Sequence, residues 1–427
     1  MSNAVPKEII PVDWDISELN EYLFFVSYGF TNPMPESTTG PIMVTAKDVK
    51  GLKVQYTSAR KTTWQAYKEL LTDKSKPRID DVLLTKDGTL GRVALVEKDN
   101  ICINQSVAVL RSNHRILPVF LLHLLASPIY QKIMLDNAGG SAIKHIYITI
   151  LSKMIVAIPS IIEQKKIAAI LSSVDEVIEK TQAQINKLKD LKTGMMQELL
   201  SPREGQAANI NNPQGESKNS LHHTEFKDSV LGRIPAGWEA RSLGDVCQFT
   251  QGVQISSDNL SRYNGNEYIR YMYIRDFTSD NRIWYVKNEH PHKIITSADI
   301  AMANTGHTSG TVYKGKYGVL SNNAFKISFS NEILNTDFLF YFLQSDFFKR
   351  KIQQLFNTAG QPHVGHGNIA RMPIPIPPLK EQVLIAESIF KIEESEKVKV
   401  KKLKSLSYLK KALMQDLLTG KVRVNAD

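Results

Sequence analysis

Two segments of the chain carry apolar residues at alternating steps of four and three, one beginning after Pro159 and the other after Pro377. Such a heptad pattern predicts two long helices, each with one apolar face. Charged residues interrupt both patterns, among them Lys192, Glu396 and Lys410. The residues predicted to pair the helices are Ile167, Leu171, Val174, Ile178, Ile185 and Leu188 in the first and Ile385, Ile389, Ile392, Leu403, Leu406 and Leu413 in the second.

Each of these helices is too long and thin to be stable alone. About 34 residues at about 1.5 Å each give an arm of about 50 Å. Most helical stability in proteins comes from packing an apolar face, so that face must be covered. The two helices are therefore predicted to pair in antiparallel orientation as a coiled coil. The alternative is that each helix packs only on the globular domain that precedes it.

The chain also matches itself when position 154 is aligned with position 372. Segments 154–201 and 372–419 then share 15 identities in 48 ungapped positions, where average residue usage gives about three. Further upstream, Asp81 falls on Asp299 in the same register, and the opening Trp-containing segments match with an offset of 224. A period of this length predicts duplicated domains rather than a solenoid. The expected molecule is a pseudo-twofold internal repeat.

Each half has the same order of elements. Short apolar runs broken by glycine come first, then a short amphipathic helix and then one long helix, which predicts an α+β fold. Residues 202–225 are poor in large apolar residues and predict a flexible linker. The predicted order is a first domain at 1–158, the first long helix at 159–201, the linker at 202–225, a second domain at 226–376 and the second long helix at 377–421.

Charge and cysteine content narrow the function classes. Lys and Arg number 53 against 43 Asp and Glu, a formal net charge of +10, which favours a polyanionic partner such as nucleic acid. Cys102 and Cys247 are the only cysteines, too few for a disulfide framework or a four-thiolate metal site. The N-terminus lacks a signal pattern, and the richest apolar stretch is too short for a bilayer. We therefore expect a cytoplasmic protein that binds neither membrane nor metal.

Common catalytic motifs are absent from the sequence. Neither the phosphate loop Gly-x-x-x-x-Gly-Lys-Ser/Thr nor the zinc motif His-Glu-x-x-His occurs. The histidine pairs at 290 and 292 and at 363 and 366 have no acidic or cysteine companions at ligand spacing. The sequence therefore predicts a chain with no catalytic residues and no cofactor of its own.

Cations interleaved with aromatic residues indicate candidate DNA contacts in both halves. Arginine can read guanine edges or clamp phosphates, and aromatic rings can pack against sugars and thymine methyl groups. The same alternation is also typical of a half-buried strand whose arginines are simply solvated. The candidate DNA-binding residues are Arg60, Lys61, Lys86, Arg92, Arg270, Arg275, Arg282, Lys314 and Lys316.

An ordered set of motifs carries a family resemblance. FKDSVLGRIPAGWEARSLGDV is followed by MPIPIPPLKEQVLIAESI and by a long helix that ends in LMQDLLTGKVRV. The first half repeats the plan as AIPSIIEQKKIAAIL and MMQELL. In this respect nearly the whole chain resembles the specificity subunit of a type I restriction-modification system.

The resemblance implies a division of labour. Two target-recognition domains would each read one half of a split, asymmetric site in double-stranded DNA, and two antiparallel helices would hold them apart. The same helices would dock two modification subunits, which carry S-adenosylmethionine and methylate adenine, and the assembly can recruit two restriction subunits that use ATP and Mg. The chain itself would be non-catalytic. The alternatives are a coiled-coil scaffold that binds proteins at its globular ends, and a self-sufficient nuclease or methyltransferase.

Overall fold

The computed structural model describes residues 10–140, 144–200, 223, 225–355 and 363–424. Of the predicted linker at 202–225, only residues 223 and 225 fall within this part of the chain. The α-helices in the described residues are α1 Trp64–Glu69, α2 Pro118–Ala126, α3 Pro128–Asp136, α4 Ile148–Ser152, α5 Ile161–Leu200, α6 Leu243–Val246, α7 Thr336–Gln344, α8 Asp346–Gln353, α9 His366–Ala370 and α10 Leu379–Leu417.

The described chain forms two compact units that do not coincide with the two halves of the sequence. One unit comprises residues 10–183 and 399–424, and the other comprises the described residues between 184 and 398. Each long helix therefore contributes its N-terminal half to one unit and its C-terminal half to the other. As a result, each unit contains one globular domain and parts of both long helices.

Strands in the first unit form three sheets. Six strands assemble in the order β2-β10-β7-β8-β5-β4, three in the order β6-β3-β9, and β1 pairs with β11. The strands are β1 Asp15–Glu18, β2 Leu23–Tyr28, β3 Glu36–Val44, β4 Val49–Lys50, β5 Leu52–Val54, β6 Arg60–Thr62, β7 Val82–Thr85, β8 Val93–Leu95, β9 Ile101–Ile103, β10 Val107–Ser112 and β11 Ile155–Ile158.

The second unit has two four-stranded sheets, in the orders β15-β22-β19-β20 and β17-β16-β21-β18. Two further pairs join β12 to β13 and β14 to β23. The strands are β12 Phe226–Ser229, β13 Gly232–Pro235, β14 Glu239–Ser242, β15 Cys247–Gln251, β16 Tyr268–Met272, β17 Trp284–Lys287, β18 Ile294–Ile295, β19 Ile300–Ala303, β20 Val312–Lys314, β21 Gly318–Leu320, β22 Ala324–Phe329 and β23 Pro373–Ile376. Both units are α+β, as predicted.

The internal repeat extends to individual hydrogen bonds around one buried glutamine. Gln164 donates to the carbonyl oxygens of residues 115 and 159 at 2.9 and 3.0 Å and accepts from the amide of residue 117 at 2.8 Å. Gln382 makes the same three bonds to residues 333, 377 and 335 at 2.9, 2.8 and 2.8 Å. Every partner is displaced by the offset that aligns position 154 with position 372. In both units this side chain fastens the first turn of the long helix to the preceding domain.

Two consecutive short helices stand in each half where the sequence predicted one. In the first half α2 ends before Ser127 and α3 begins at Pro128, and in the second half α7 and α8 meet at Ser345. The Ser127 and Ser345 hydroxyls accept from the amides three residues later at 3.4 and 3.2 Å. A serine that caps a new helix separates the two segments, because its own backbone is extended rather than helical.

Both long helices extend beyond the stretch of about 34 residues counted along the heptads and lie within the predicted ranges 159–201 and 377–421. They contain 40 and 39 residues, which corresponds to about 60 Å each. The first turn of each helix explains the difference, since Gln164 and Gln382 face the preceding domain. They are not part of the heptad seam, the apolar face formed by the helix-pairing residues. A count along the seam therefore misses that turn.

The two long helices run antiparallel. In the second unit Lys192 of α5 pairs with Glu393 of α10 at 2.5 Å, and Lys189 lies 3.9 Å from Glu396. Residue numbers thus decrease along one helix as they increase along the other. The heptad residues that are buried are Ile167, Leu171, Ile185, Ile385, Ile389 and Ile392, and those that are half-buried are Val174, Ile178, Leu188, Leu403, Leu406 and Leu413.

Packing on the domain and packing on the other helix occur together. In the first unit Ile167 and Leu171 share an apolar cluster with Leu417 of α10 and with Phe120 of α2. In the second unit the equivalent cluster joins residue Leu200 of α5 to the N-terminal half of α10 and to the domain. The two alternatives considered from the sequence are therefore both realised in each unit.

Three of the charged residues that interrupt the heptads, Lys192, Glu396 and Lys410, have partners of opposite charge. Lys410 of α10 lies 2.5 Å from Asp175 of α5, which matches the contact between Lys192 and Glu393 in the other unit. Nearby, the His123 side chain of α2 is 2% exposed, and its Nε2 lies 3.0 Å from the Ser172 hydroxyl. These contacts satisfy most of the polar groups inside the seam.

The C-terminal tail completes the first unit. The Arg423 guanidinium binds Asp13 through two hydrogen bonds of 2.9 and 2.8 Å. It binds Glu163 in the first turn of α5 through two more, of 2.8 and 2.9 Å. Since the Glu163 side chain is 2% exposed, this arginine neutralises a buried carboxylate and joins both ends of the chain to the domain.

None of the helices in the described residues has, by itself, the length and apolar content to span a membrane. The pair α2 and α3 reaches that length and composition only together, across a bend of 67°. In this structure Phe120, Leu121, Leu124 and Leu125 of α2 are buried in the core of the first unit.

His123 makes the stability of the first unit depend on pH. Burial lowers the pKa of His123 to about 4, whereas an unfolded histidine titrates near 6.5. The unfolded chain therefore binds more protons between these values, and the free energy of unfolding falls as the pH falls from 6.5 towards 4. This histidine alone should reduce that free energy by about 2 kcal/mol at pH 5 relative to pH 7. Urea unfolding of the native chain and of His123→Gln at both pH values measures the effect, and an equal loss in both proteins would contradict it.

Candidate nucleic-acid interface

The loop between β7 and β8 carries a predicted cation at each end. Lys86 follows β7, and Arg92, whose side chain is exposed, precedes β8. Gly88 and Gly91 have φ values of +75° and +77°, a left-handed conformation that glycine adopts without steric cost. The Thr85 hydroxyl accepts a hydrogen bond from the Arg92 amide at 2.9 Å and closes the loop at its base.

Lys86 is held in position by neighbouring side chains. Its Nζ lies 2.6 Å from Asp87 Oδ2 and 5.4 Å from the centre of the Tyr28 ring. Asp87 Oδ1 lies 2.5 Å from His145 Nδ1. Burial opposes ionisation of Asp87, but the hydrogen bonds from Lys86 and His145 outweigh it and leave the pKa of Asp87 below its usual value. Lys86 is thus an ordered cation whose charge Asp87 partly neutralises.

The second unit contains the same loop at shifted positions. The Ile146 amide donates to the Lys86 carbonyl oxygen at 2.9 Å, and at the equivalent positions of the repeat the Val364 amide donates to the Asn304 carbonyl oxygen at 3.0 Å. Gly306 bends this second loop with a φ of +78°. The backbone is therefore repeated while the side chains differ, since Asn304 replaces Lys86.

A helix tethers the first loop, whereas no such tether is placed among the described residues of the second. Gln131 of α3 donates to the carbonyl oxygens of Gly91 and Leu125 at 2.6 and 2.7 Å. Lys349 occupies the equivalent position on α8 and lines a cleft of about 290 Å³ beside residues 309–312. The two units therefore present different surfaces at this loop, one closed by an amide and the other open with a cation at its rim.

Arg60 and Lys61 lie on β6, at the edge of the three-stranded sheet. Arg60 pairs with Glu36 of β3, and Lys61 is half-buried. Trp64, the first residue of α1, is 48% exposed beside them. These residues belong to a different sheet from the loop that carries Lys86.

Arg270 and Lys316 are brought together by acidic groups of their own domain. Asp276 is completely buried and accepts from the Tyr273 amide at 2.9 Å. The Arg270 guanidinium lies 4.0 Å from Asp276 and 2.7 Å from Asp280, and its hydrogen bond lowers the pKa of Asp280. Lys316 donates to the Asp276 carbonyl oxygen at 3.0 Å. Both cations thus have a structural role in addition to the predicted contact with DNA.

The remaining candidates of the second domain differ in their surroundings. Arg275 lies 3.7 Å from Asp276, but its side chain is exposed. Lys314 lies apart on β20 and pairs with Asp337 of α7 at 2.5 Å. Arg282 is exposed in the segment before β17, and within the described residues no acidic partner is placed against it. All nine cations remain predicted DNA contacts.

Sequence reasoning missed a further arginine on this surface. The Arg262 guanidinium stacks on the Trp284 ring, 3.7 Å from its centre, and donates to the Ile283 carbonyl oxygen at 3.0 Å. A bridge between Ser261 and Tyr285 brings the two segments together. Stacking on an aromatic ring orders the planar fork that binds phosphate or guanine. Arg262 lies outside any periodic pattern, so only pairing between distant segments reveals it.

Within the described residues, no group of three or more His, Cys, Asp or Glu side chains is placed to hold a metal ion. The thiols of Cys102 and Cys247 are buried, and burial raises the pKa of each to about 12. Both are therefore protonated near neutral pH.

Both copies of the repeat match the same family. A sequence profile for the type I restriction modification DNA specificity domain covers residues 34–190 and 235–407, together more than half of the chain. The chain belongs to the type I restriction-modification DNA specificity family. The two matches agree with the two repeated loops and the two helices described above.

Curated members of this family are similar to the chain over nearly its whole length. The MjaVIII specificity subunit of Methanocaldococcus jannaschii is 24% identical, covering 97% of this chain and 94% of that protein. The putative MjaX specificity subunit of the same organism is 27% identical, covering 97% and 95%. The EcoBI specificity subunit of Escherichia coli is 27% identical over 43% of this chain and 40% of its own length.

Solved structures support the specificity-family fold. The S subunit of a type I restriction-modification system from M. genitalium has a TM-score of 0.58 and 16% identity, covering 97% of this chain and 98% of that one. A second structure, from work on complex assembly and conformational transition of a type I system, has a TM-score of 0.55 and 17% identity, covering 97% and 99%. At these identities the likeness concerns the fold.

Arg270 and Arg282 should respond differently to truncation. Arg270→Ala removes one of the two arginines beside the buried Asp276 and the hydrogen bond to Asp280, and should lower the free energy of unfolding by about 1–3 kcal/mol. Arg282→Ala should change stability by less than about 0.5 kcal/mol. If Arg282 contacts a phosphate, its loss should weaken duplex binding and reduce the slope of log K against log salt by about 1. Urea unfolding and salt titrations of duplex binding test both variants, and an unchanged salt slope for Arg282→Ala would remove it from the interface.

Proposed function

We propose that this chain is the non-catalytic DNA-specificity subunit of a type I restriction-modification complex. Each globular domain is a recognition domain that reads one half of a bipartite, asymmetric site in double-stranded DNA. The paired helices set the unread spacer between the half-sites and dock the modification subunits. Family membership across both copies of the repeat is the observation that carries this proposal.

Differences between the repeated loops support asymmetric reading. Lys86 and Asn304 occupy equivalent positions on the same backbone, as do Gln131 and Lys349. Arginine, lysine and asparagine side chains differ in the base edges that they can recognise. Two domains with one scaffold and unlike loop side chains are suited to two unlike half-sites.

Electrostatics are consistent with this role. The net charge of +10 favours release of counterions from DNA, which makes binding depend on salt. Exposed Arg92 and Arg282, and Arg262 stacked on Trp284, provide cations that can reach a duplex. Phosphate contacts would position each domain, and contacts with base edges would specify the half-site.

Catalysis belongs to the partner subunits in this proposal. Two modification subunits would supply S-adenosylmethionine and methylate adenine in both half-sites. Two restriction subunits can join the complex, and these would use ATP and Mg. The two long helices, which belong to both units, are the elements best suited to hold such partners symmetrically.

A domain exchange tests the proposed function. Residues 11–150 are replaced by the equivalent region of another specificity subunit, and the chain is expressed with its modification subunits. Because each domain reads alone, methylated adenines in genomic DNA should show one new half-site and one unchanged half-site. Changes in both half-sites would contradict modular reading. A purified native chain that shows no salt-dependent retention on duplex DNA would favour the protein-binding scaffold instead.

Helix length should determine the spacer. Four residues inserted into α5 after Ala183 add about 6 Å, close to two base-pair steps of about 3.4 Å. The methylated sites should keep both half-sites but show a longer spacer. An insertion of four residues outside the helices, after Asp99 in the exposed segment between β8 and β9, provides the control and should leave the spacer unchanged. An unaltered spacer in the helix variant would argue against a ruler.

A further inference from the structure

One carboxylate in the second unit connects three elements. Glu393 of α10 pairs through Oε1 with Lys192 of α5 at 2.5 Å. Its Oε2 accepts a hydrogen bond from the Tyr341 hydroxyl of α7 at 2.9 Å. The recognition domain, the helix that follows it and the other long helix therefore meet at a single acidic group.

The same three positions form a cluster in the first unit. The offset of the internal repeat relates Tyr341 to His123, Glu393 to Asp175 and Lys192 to Lys410. Lys410 lies 2.5 Å from Asp175. His123 Nδ1 lies 3.8 Å from Asp175 Oδ2. Both clusters therefore contain a lysine, a carboxylate and a polar aromatic ring. In the second unit α5 carries the lysine and α10 the carboxylate, whereas in the first unit α10 carries the lysine and α5 the carboxylate.

Burial makes these clusters poor sources of net stability. The four charged side chains are 18–27% exposed, and the two rings are 1% exposed. Removing such groups from water costs about as much as the pair recovers, and apolar replacements are often neutral or stabilising. A polar residue at a seam position is better known for defining the register of paired helices. Two copies at equivalent positions fit that role.

The clusters would prevent a recognition domain from slipping along the long helix on which it packs. Moving a domain by one residue along a helix displaces it by about 1.5 Å and rotates it by about 100°. Apolar contacts are non-directional, so they define axial position and rotation less sharply than a directional bond does. A hydrogen bond to a carboxylate is directional. Tyr341 therefore restricts both the axial position and the rotation of its domain on the helix pair.

The two clusters differ in tightness. Tyr341 is hydrogen-bonded to Glu393, but His123 Nδ1 and Asp175 Oδ2 have no hydrogen-bond partner among the described residues. His123 reaches α5 through Ser172 instead. The second domain is therefore hydrogen-bonded to a member of the ion pair between the helices, whereas the first domain is hydrogen-bonded to the neighbouring Ser172.

We propose that Tyr341 is a positioning residue that fixes the second recognition domain on the helix pair and thereby restricts DNA binding to one spacer length. This inference rests on the proposed function. It predicts that the hydroxyl of Tyr341 affects the distance between half-sites and not their sequences. His123 has the same role in the first domain, with a smaller effect because its contact is indirect.

Tyr341→Phe tests this inference in the complete complex. The variant keeps the ring and removes one hydrogen bond. The full chain is expressed with its modification subunits, and methylated adenines are mapped in genomic DNA, which offers every spacer length. The native complex should methylate one spacer length. In the variant, sites with a spacer one base pair longer or shorter should be methylated about tenfold more often, with both half-site sequences unchanged.

Three further variants separate positioning from general damage. Tyr313→Phe removes the hydroxyl of a half-buried tyrosine in the same unit that stacks on Phe277, and should leave the spacer unchanged. Lys192→Met should relax the spacer, and because it leaves the part-buried Glu393 without its cation it should also lower the thermal midpoint. Lys192→Arg should retain the native spacer, since it preserves the ion pair.

The outcomes distinguish the inference from the function on which it rests. If Tyr341→Phe and Lys192→Met methylate only the native spacer at wild-type levels, the positioning role is wrong and the proposed function stands. If the native complex methylates no bipartite site, the proposed function itself fails. Relaxed spacers accompanied by altered half-site sequences would indicate damage to the recognition domain and would also overturn the inference.

Discussion

Burial of one apolar face along each long helix is the constraint on which the structure depends. A helix of 40 residues is a long surface with no interior of its own. Each unit buries part of it between a globular domain and the other long helix, so that Ile167 and Leu171 contact both. Neither domain is therefore complete without segments from distant parts of the chain, and the repeat must be paired to be stable.

A second constraint is superimposed on the first. The seam contains lysines and carboxylates that apolar packing alone would exclude, and Lys192 and Lys410 are each matched by a carboxylate of the other helix. Gln164 and Gln382 then fasten the helix starts to their domains through identical bonds. Apolar burial holds the elements together, and these directional contacts determine where along the helices they meet.

Features with local periodicity could be predicted from sequence. The heptads and the α+β order of each half follow from residue types a few positions apart, and the repeat follows from comparing the chain with itself. Glu396 and Lys410 were interpreted only as interruptions, because their partners Lys189 and Asp175 lie in the other half of the chain. The split of each helix between two units depends on the same distant contacts.

On the candidate DNA surface, too, contacts between residues distant in sequence could not be predicted. Alternating cations and aromatic rings identified Arg270, but not its acidic neighbours Asp280 and Asp276, which lie 2.7 and 4.0 Å from its guanidinium. Arg262 belongs to no periodic sequence pattern, and only the bridge between Ser261 and Tyr285 places it on Trp284. A sequence therefore indicates which cations exist, whereas the fold decides which of them have acidic partners.

The tail that binds Asp13 and Glu163 through Arg423 has a consequence for biosynthesis. The first unit needs residues 399–424, which leave the ribosome only after the whole of the second domain. At about 5–20 residues per second, translation of the intervening chain takes about 10–40 s. During this time the nascent first unit exposes apolar side chains that α10 will later cover, a condition that favours aggregation.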